Sequence, residues 1–144
     1  MGMIKLLGTI FAFALLSNIA YAKTVEVEML NKDGAGRKMV YSQEIVHVDT
    51  GDTVKWVPTS KGHNVEIIAA PDGFDIPKKS KNGKEVIIEF TVPGIYYYWC
   101  TPHKGMGMIG LVVVDHDTSN KDAIAKAKAL GKSKKKLKAL LGEL

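Results

Sequence analysis

Residues 98–110, YWCTPHKGMGMIG, hold the only cysteine in the chain. His103 follows three positions after Cys100, and Met106 and Met108 come within five more. The segment leading in, IYYYWC, and the segment leading out, MIGLVVV, are apolar and rich in aromatic or β-branched residues, so both read as strands. Pro102, Gly105 and Gly107 let the chain between them turn sharply. One tight loop between two strands therefore gathers a thiol, an imidazole and thioethers. Thiolate and thioether are soft ligands and imidazole is intermediate, which suits copper better than calcium or magnesium. A single cysteine forms no internal bridge, so it is buried and inert, paired between chains, catalytic, or a metal ligand.

Outward from this loop, short apolar runs alternate with turn residues. TVEVEML sets Val25, Val27 and Met29 against Glu26 and Glu28, the period of a half-buried strand. MVYSQEIVHV is a second strand candidate with a break near Ser42–Glu44, and GDTVKW and HNVEIIA supply two more. EVIIEFTV and IYYYWC flank Pro93-Gly94, a turn dipeptide that predicts a hairpin. Residues 70–84, APDGFDIPKKSKNGK, predict a long loop. About seven short strands with regular turn signals predict an all-β sandwich.

Beyond residue 116 the period changes. Ala123, Ile124, Ala127 and Leu130 form one helical stripe, and Leu137, Leu140, Leu141 and Leu144 form another. Ser119 or Asn120 is the expected N-cap of the first helix, with Gly131 just past its end. Two short helices are expected to lay these stripes on the sandwich. The expected organisation is a leader over 1–22, a β-sandwich over 23–116, and a helical extension over 117–144 packed on the same domain.

MGMIKLLGTIFAFALLSNIAYA, residues 1–22, reads as a secretory leader, with Lys5, an apolar stretch over 6–16 and a small-x-small site at Ala20-Tyr21-Ala22. The apolar stretch is shorter than the roughly 20 residues a bilayer span needs. No twin arginine is present, so a Sec-type route to the periplasm is expected, with no stable membrane insertion after cleavage. Cleavage removes Lys5 and no acid, leaving 19 basic against 15 acidic residues. The excess lies in KDAIAKAKALGKSKKKLKAL, which holds eight lysines and reads as solvated helix faces. Arg37 is the sole arginine and no helix-turn-helix or RNP-like segment is visible, so no nucleic-acid partner is expected.

A second imidazole must come from elsewhere. His47 lies within a strand pattern and reads as a half-exposed strand residue, and His116, where the sheet gives way to the tail, reads as solvated. His63, in KGHNVE, stands at the start of a strand just after Gly62, where a loop-end ligand belongs. It lies 37 residues before Cys100, enough chain to return on an adjacent strand. Two histidines and one cysteine with a distant methionine make a known class of copper site, and either Met106 or Met108 satisfies the pattern.

GHNV followed by CTPHKGMGMIGLVVV resembles the copper site of the cupredoxins, the blue copper proteins, and in particular their pseudoazurin branch. The resemblance spans residues 24–144, because that branch has similar VEVEMLNK, GDTVKW and KGHNVE segments and two C-terminal helices. It implies a cupredoxin-like Greek-key β-sandwich and one copper ion, Cu(I)/Cu(II), held by His63, Cys100, His103 and Met108. Met106 matches the spacing of the shorter amicyanin loop, and the whole-chain likeness favours Met108. Asn64 resembles the family asparagine that ties two ligand loops together.

The implied role is a soluble, monomeric electron carrier, not an enzyme, between partners such as c-type cytochromes and a copper or haem nitrite reductase. Partners are expected at the His103 face, near Lys32, Lys61, Lys104, Pro102 and Met106. Trp99 departs from the branch, where a lysine is common. The competing readings are a copper-delivery protein without a redox role and a cysteine hydrolase with His63 or His103 as base.

Overall fold

Apolar residues spaced two apart assemble two four-stranded sheets in a computed structural model that describes residues 21–144. Apart from its last two residues, the leader expected over 1–22 lies outside the described residues. The first sheet contains β1 (Thr24–Lys32), β2 (Lys38–Tyr41), β4 (Thr53–Val57) and β6 (Val86–Glu89), in the order β2-β1-β4-β6. The second contains β3 (Ile45–Val48), β5 (Glu66–Ala69), β7 (Gly94–Trp99) and β8 (Ile109–Val114), in the order β3-β8-β7-β5. β1 runs parallel to β4 and β3 parallel to β8, while the remaining pairs are antiparallel.

Between the sheets lie Val27, Met29, Tyr41, Trp56, Phe90, Tyr96, Tyr98 and Val112, all fully buried. A second apolar layer covers the outer face of the second sheet. There Ile95, Tyr97, Trp99, Leu111 and Val113 meet Ile124 of α1 (Lys121–Ala125) and Leu137, Leu140 and Leu141 of α2 (Lys132–Gly142). The strands report this arrangement in their sequences. β7 and β8 are buried at every position, so they read as unbroken apolar runs, whereas β1 alternates because one of its faces meets water. The leucine stripe of α2 packs as expected.

Several local expectations change. The break at Ser42–Glu44 is the point where the chain leaves the first sheet for the second. Pro93-Gly94 does not close a hairpin: β6 pairs with β4 and β7 with β8 and β5, so the link crosses between sheets. Gly94 permits the crossing with φ 133, where an added Cβ would stand 2.5 Å from Pro71. The first helix stops at Ala125 and does not reach Leu130. Asn120 stands before it, but its side chain bonds the N–H and C=O of Ile95 instead of capping the helix. Gly131 precedes α2 instead of following α1. Among the described residues no helix is long and apolar enough to cross a membrane.

Candidate metal centre

Three chain segments meet at one pole of the sandwich. β1 brings Asn31 there one residue before its end, the link from β4 to β5 brings His63 and Asn64, and the link from β7 to β8 brings Cys100 to Met108. Thr101–His103 forms a single 3-10 turn that opens with Pro102 near its start, closed by the His103 N–H bonding the Cys100 carbonyl at 3.0 Å. The Cys100 N–H in turn bonds the Met108 carbonyl at 2.9 Å, so the two ends of the loop are pinned together.

The sequence-predicted His63, Cys100 and His103 come together. Nδ1 of His63 lies 3.1 Å from Nδ1 of His103, and Sγ of Cys100 lies 3.6 and 3.4 Å from those two nitrogens. A point equidistant from all three atoms is about 2 Å from each, which is an ordinary metal–nitrogen distance and slightly short of a metal–sulfur one. His63, Cys100 and Met108 are fully buried and His103 is half-buried. Met108 packs in the same cluster as Cys100, whereas Met106 is 51% exposed.

Protonation follows from the surroundings. The side-chain Oδ1 of Asn31 accepts from Nε2 of His63 at 2.7 Å, which places the proton on Nε2 and leaves the Nδ1 lone pair facing Cys100. Burial depresses both imidazole pKa values, and the neighbouring His103 adds to the effect at His63, so both rings favour the neutral, ligating form. Burial raises the Cys100 pKa, against the lowering effect of N–H groups from Asn64 and His103. A buried thiol beside two inward-facing imidazole nitrogens is a poor arrangement for the groups alone and a good one around a cation. Soft sulfur with two imidazoles is a donor set that fits copper.

A polar frame holds the loop to β5. Asn64 Oδ1 accepts the Thr101 N–H at 2.7 Å, and its Nδ2 reaches the Thr101 hydroxyl at 3.1 Å. Glu66 accepts from the Thr101 hydroxyl and from the Trp99 indole, both at 2.7 Å. Burial opposes ionisation of Glu66, but these two bonds and the charges of Lys79 and Lys104 hold its pKa below the usual range. Trp99 is 3% exposed and Lys104 Nζ stands 5.2 Å from its ring centroid. Trp99 is thus buried under a lysine. Sequence reasoning found Asn64 but missed Asn31, Thr101 and Glu66, whose roles exist only once distant segments meet.

Residues 27–115 match the copper binding proteins of the plastocyanin/azurin family. The chain belongs to that family. It is 42% identical over 137 residues to a pseudoazurin of Paracoccus pantotrophus, covering 92% of this chain and 93% of that one. The solved pseudoazurin of Hyphomicrobium denitrificans superposes with a TM-score of 0.77 at 42% identity, covering 84% of this chain and 98% of that one. A solved Sinorhizobium pseudoazurin gives a TM-score of 0.79 at 38% identity, with 84% and 95% covered. The family member described here is a blue copper electron-transfer protein of the pseudoazurin branch.

Proposed function

We propose that one copper ion is held by His63, Cys100, His103 and Met108, and that electrons pass through the half-buried edge of His103. The observation that carries the reading is the triangle of Nδ1, Nδ1 and Sγ atoms with the His63 proton turned away toward Asn31. Bound copper supplies a one-electron couple. The protein's part is to keep the ligands in one arrangement, so that little has to move when an electron arrives. Both sheets, the Asn64–Thr101 bonds and the Glu66 bonds serve that end. Met108 is preferred to Met106 because it is buried with Cys100, while Met106 faces solvent.

The partner surface is read from exposure and charge. Pro102 and Met106 are exposed apolar residues on the ligand loop. Lys32 and Lys61 are exposed on the neighbouring segments, and Lys132 and Lys135 of α2 line one shallow groove with Met106. An apolar spot ringed by lysines suits brief contact with acidic redox proteins, such as a c-type cytochrome or a nitrite reductase. The remaining parts of the proposal are export to the periplasm by cleavage after Ala22, a monomeric state and the absence of catalysis.

Addition of one equivalent of Cu(II) to the purified mature chain is expected to give an intense blue thiolate absorption. Met108→Ala is expected to change the potential and weaken copper retention, while Met106→Ala leaves both near the parent values. The reverse pattern would transfer the ligand role to Met106. Lys61→Glu is expected to slow electron delivery to an acidic partner through slower encounter, with the difference fading at high salt. A rate unchanged by the substitution and flat with salt would remove the lysines from the proposal.

A further inference from the structure

The loop between Cys100 and Met108 is built from turns, and its peptide carbonyls join no sheet ladder, the Gly107 carbonyl meeting among strand residues only the adjacent Ile109 N–H at 3.0 Å. Three of them are taken up by α2. The Lys132 N–H bonds the Gly105 carbonyl at 3.0 Å, Ser133 Oγ donates to the Lys104 carbonyl, and Lys136 Nζ bonds the Gly107 carbonyl at 2.9 Å. All three carbonyls lie between His103 and Met108. Ser133 is fully buried. Its hydroxyl is therefore committed to this bond and not to solvent.

The contact is closed at the backbone. Gly131 takes φ +53 just before α2, and a Cβ there would stand 2.5 Å from the Gly105 carbonyl oxygen. Lys136 is itself fixed, since its ammonium also pairs with Glu44, which a guanidinium nitrogen of Arg37 reaches at 3.3 Å. Glu44 belongs to the sandwich, because its carbonyl accepts the Leu111 N–H of β8 at 2.8 Å. The helix therefore connects the ligand loop to both the apolar layer beneath it and the strand beside it. A segment held only by its own turns opens at low free energy, and each added bond raises that cost.

We infer that α2 is a clamp on the ligand loop, with Ser133, Lys136 and Gly131 acting as positioning residues that hold His103 and Met108 in place before copper arrives. The inference rests on the ligand reading given above. A loop ordered in advance loses less freedom when it takes up the ion and rearranges less afterwards.

The test compares the mature chain with Ser133→Ala, Lys136→Met and the double variant. In the metal-free proteins, amide hydrogen exchange is followed at Met106 and Met108, whose N–H groups bond the His103 carbonyl. Exchange at these two sites is expected to rise about fivefold in each single variant and about thirtyfold in the double. Amides in the centres of β7 and β8 are expected to hold their parent rates, and Lys136→Arg to restore the loop. In the copper-loaded proteins, release to a chelator should accelerate in the same order and the thiolate absorption should shift. Unchanged exchange at Met106 and Met108 overturns the clamp. So does acceleration of the β7 and β8 amides in step with the loop, which would make α2 a support for the whole fold. If the parent chain takes up no copper, the ligand assignment falls, and the metal-free exchange rates still decide whether the clamp exists.

Discussion

Each end of the sandwich carries a pair of histidines with rings close together. At the pole described above the His63 and His103 centroids are 4.8 Å apart, and at the other end those of His47 and His116 are 5.1 Å apart. The pairs differ in everything else. His63 is fully buried with its outer nitrogen bonded to Asn31, and a cysteine completes the triangle. His47 and His116 are exposed. Among the described residues, only His63, Cys100 and His103 form a group of three such side chains. The acids near the other pair are already used. Asp115 accepts from the N–H and hydroxyl of Thr50, and Asp52 accepts from the N–H groups of Lys23 and Asp49. Two imidazoles in contact are thus an accident of surface geometry at one end. At the other end, burial, a bonded Nε2 and a thiol surround the same contact, the arrangement proposed above to hold copper.

The sharpest way to break the contrast is Cys100→Ser, which leaves the buried pole with two histidines and no thiol. Blue absorption is expected to disappear, while the far-ultraviolet circular dichroism of the sheets remains. A persisting intense blue band would show that the thiol is not what distinguishes the two ends. Asn31→Ala tests the fixed proton. Without the carbonyl acceptor the ring can turn or carry its proton on Nδ1, and copper affinity is expected to fall about 10- to 100-fold in chelator competition. Asn31→Asp, which keeps an acceptor, is expected to recover most of that loss. Equal affinity in the alanine variant would remove Asn31 from the account.

The contrast also shows what a sequence can carry. Cys100, His103, Met106 and Met108 stood out because soft and imidazole donors crowd one short loop between two apolar runs, whereas His63 stood out by its place after Gly62 at the start of a strand, and the preference for Met108 came from the family resemblance. The apolar runs IYYYW and IGLVVV were legible as strands and the leucine stripes as helices, but that the strands are buried on both faces is seen only in the structure. Asn31 was not legible. It sits in MLNK among strand residues, and only the parallel pairing of β1 with β4 brings it to His63. The hairpin expected at Pro93-Gly94 failed for the same reason. A turn dipeptide fixes a change of direction, but which sheet the next strand joins is decided by where Phe90 and Tyr96 find their core. Nothing in the sequence marks Ser133, and its value appears only when its hydroxyl meets the Lys104 carbonyl.

At the far end the order comes from carboxylates, and it is expected to respond to acid. Asp52 is 4% exposed, and the N–H groups of Lys23 and Asp49 hold its pKa below the ordinary value of about 3.9. A carboxyl lowered in the folded state contributes stability that is complete above the unfolded value and is lost as pH falls through the lower folded one. Asp52→Asn is therefore expected to cost about 1–2 kcal/mol at pH 7 in urea unfolding, and progressively less below pH ~4. A difference that stays constant into acid would mean that the bonds to Lys23 and Asp49 do not depend on the charge.

The smallest effect is expected from the second histidine pair itself. The turn that carries His116 is closed without its ring: the Asp117 N–H bonds the Val114 carbonyl at 3.1 Å, and the Asp115 N–H bonds the Val48 carbonyl at 3.0 Å. Asp115 and His116 both take left-handed φ values, 55 and 53, which asparagine tolerates as well as histidine does. The ring of His47 projects from β3 into solvent, and the strand is held by its pairing with β8 from Ile45–Leu111 to Val48–Val114. Replacing both histidines by asparagine removes the stacked rings and leaves these bonds in place. Stability is expected to change by no more than about 0.5 kcal/mol. One equivalent of Cu(II) is expected to give the parent blue spectrum and the parent affinity, because β8 separates the two ends by its full length. A second equivalent is the more searching measurement. If the parent chain holds it with an affinity near that of the first, and the double variant does not, the exposed pair is a metal site after all. Burial and the thiol would then no longer be what separates the two ends.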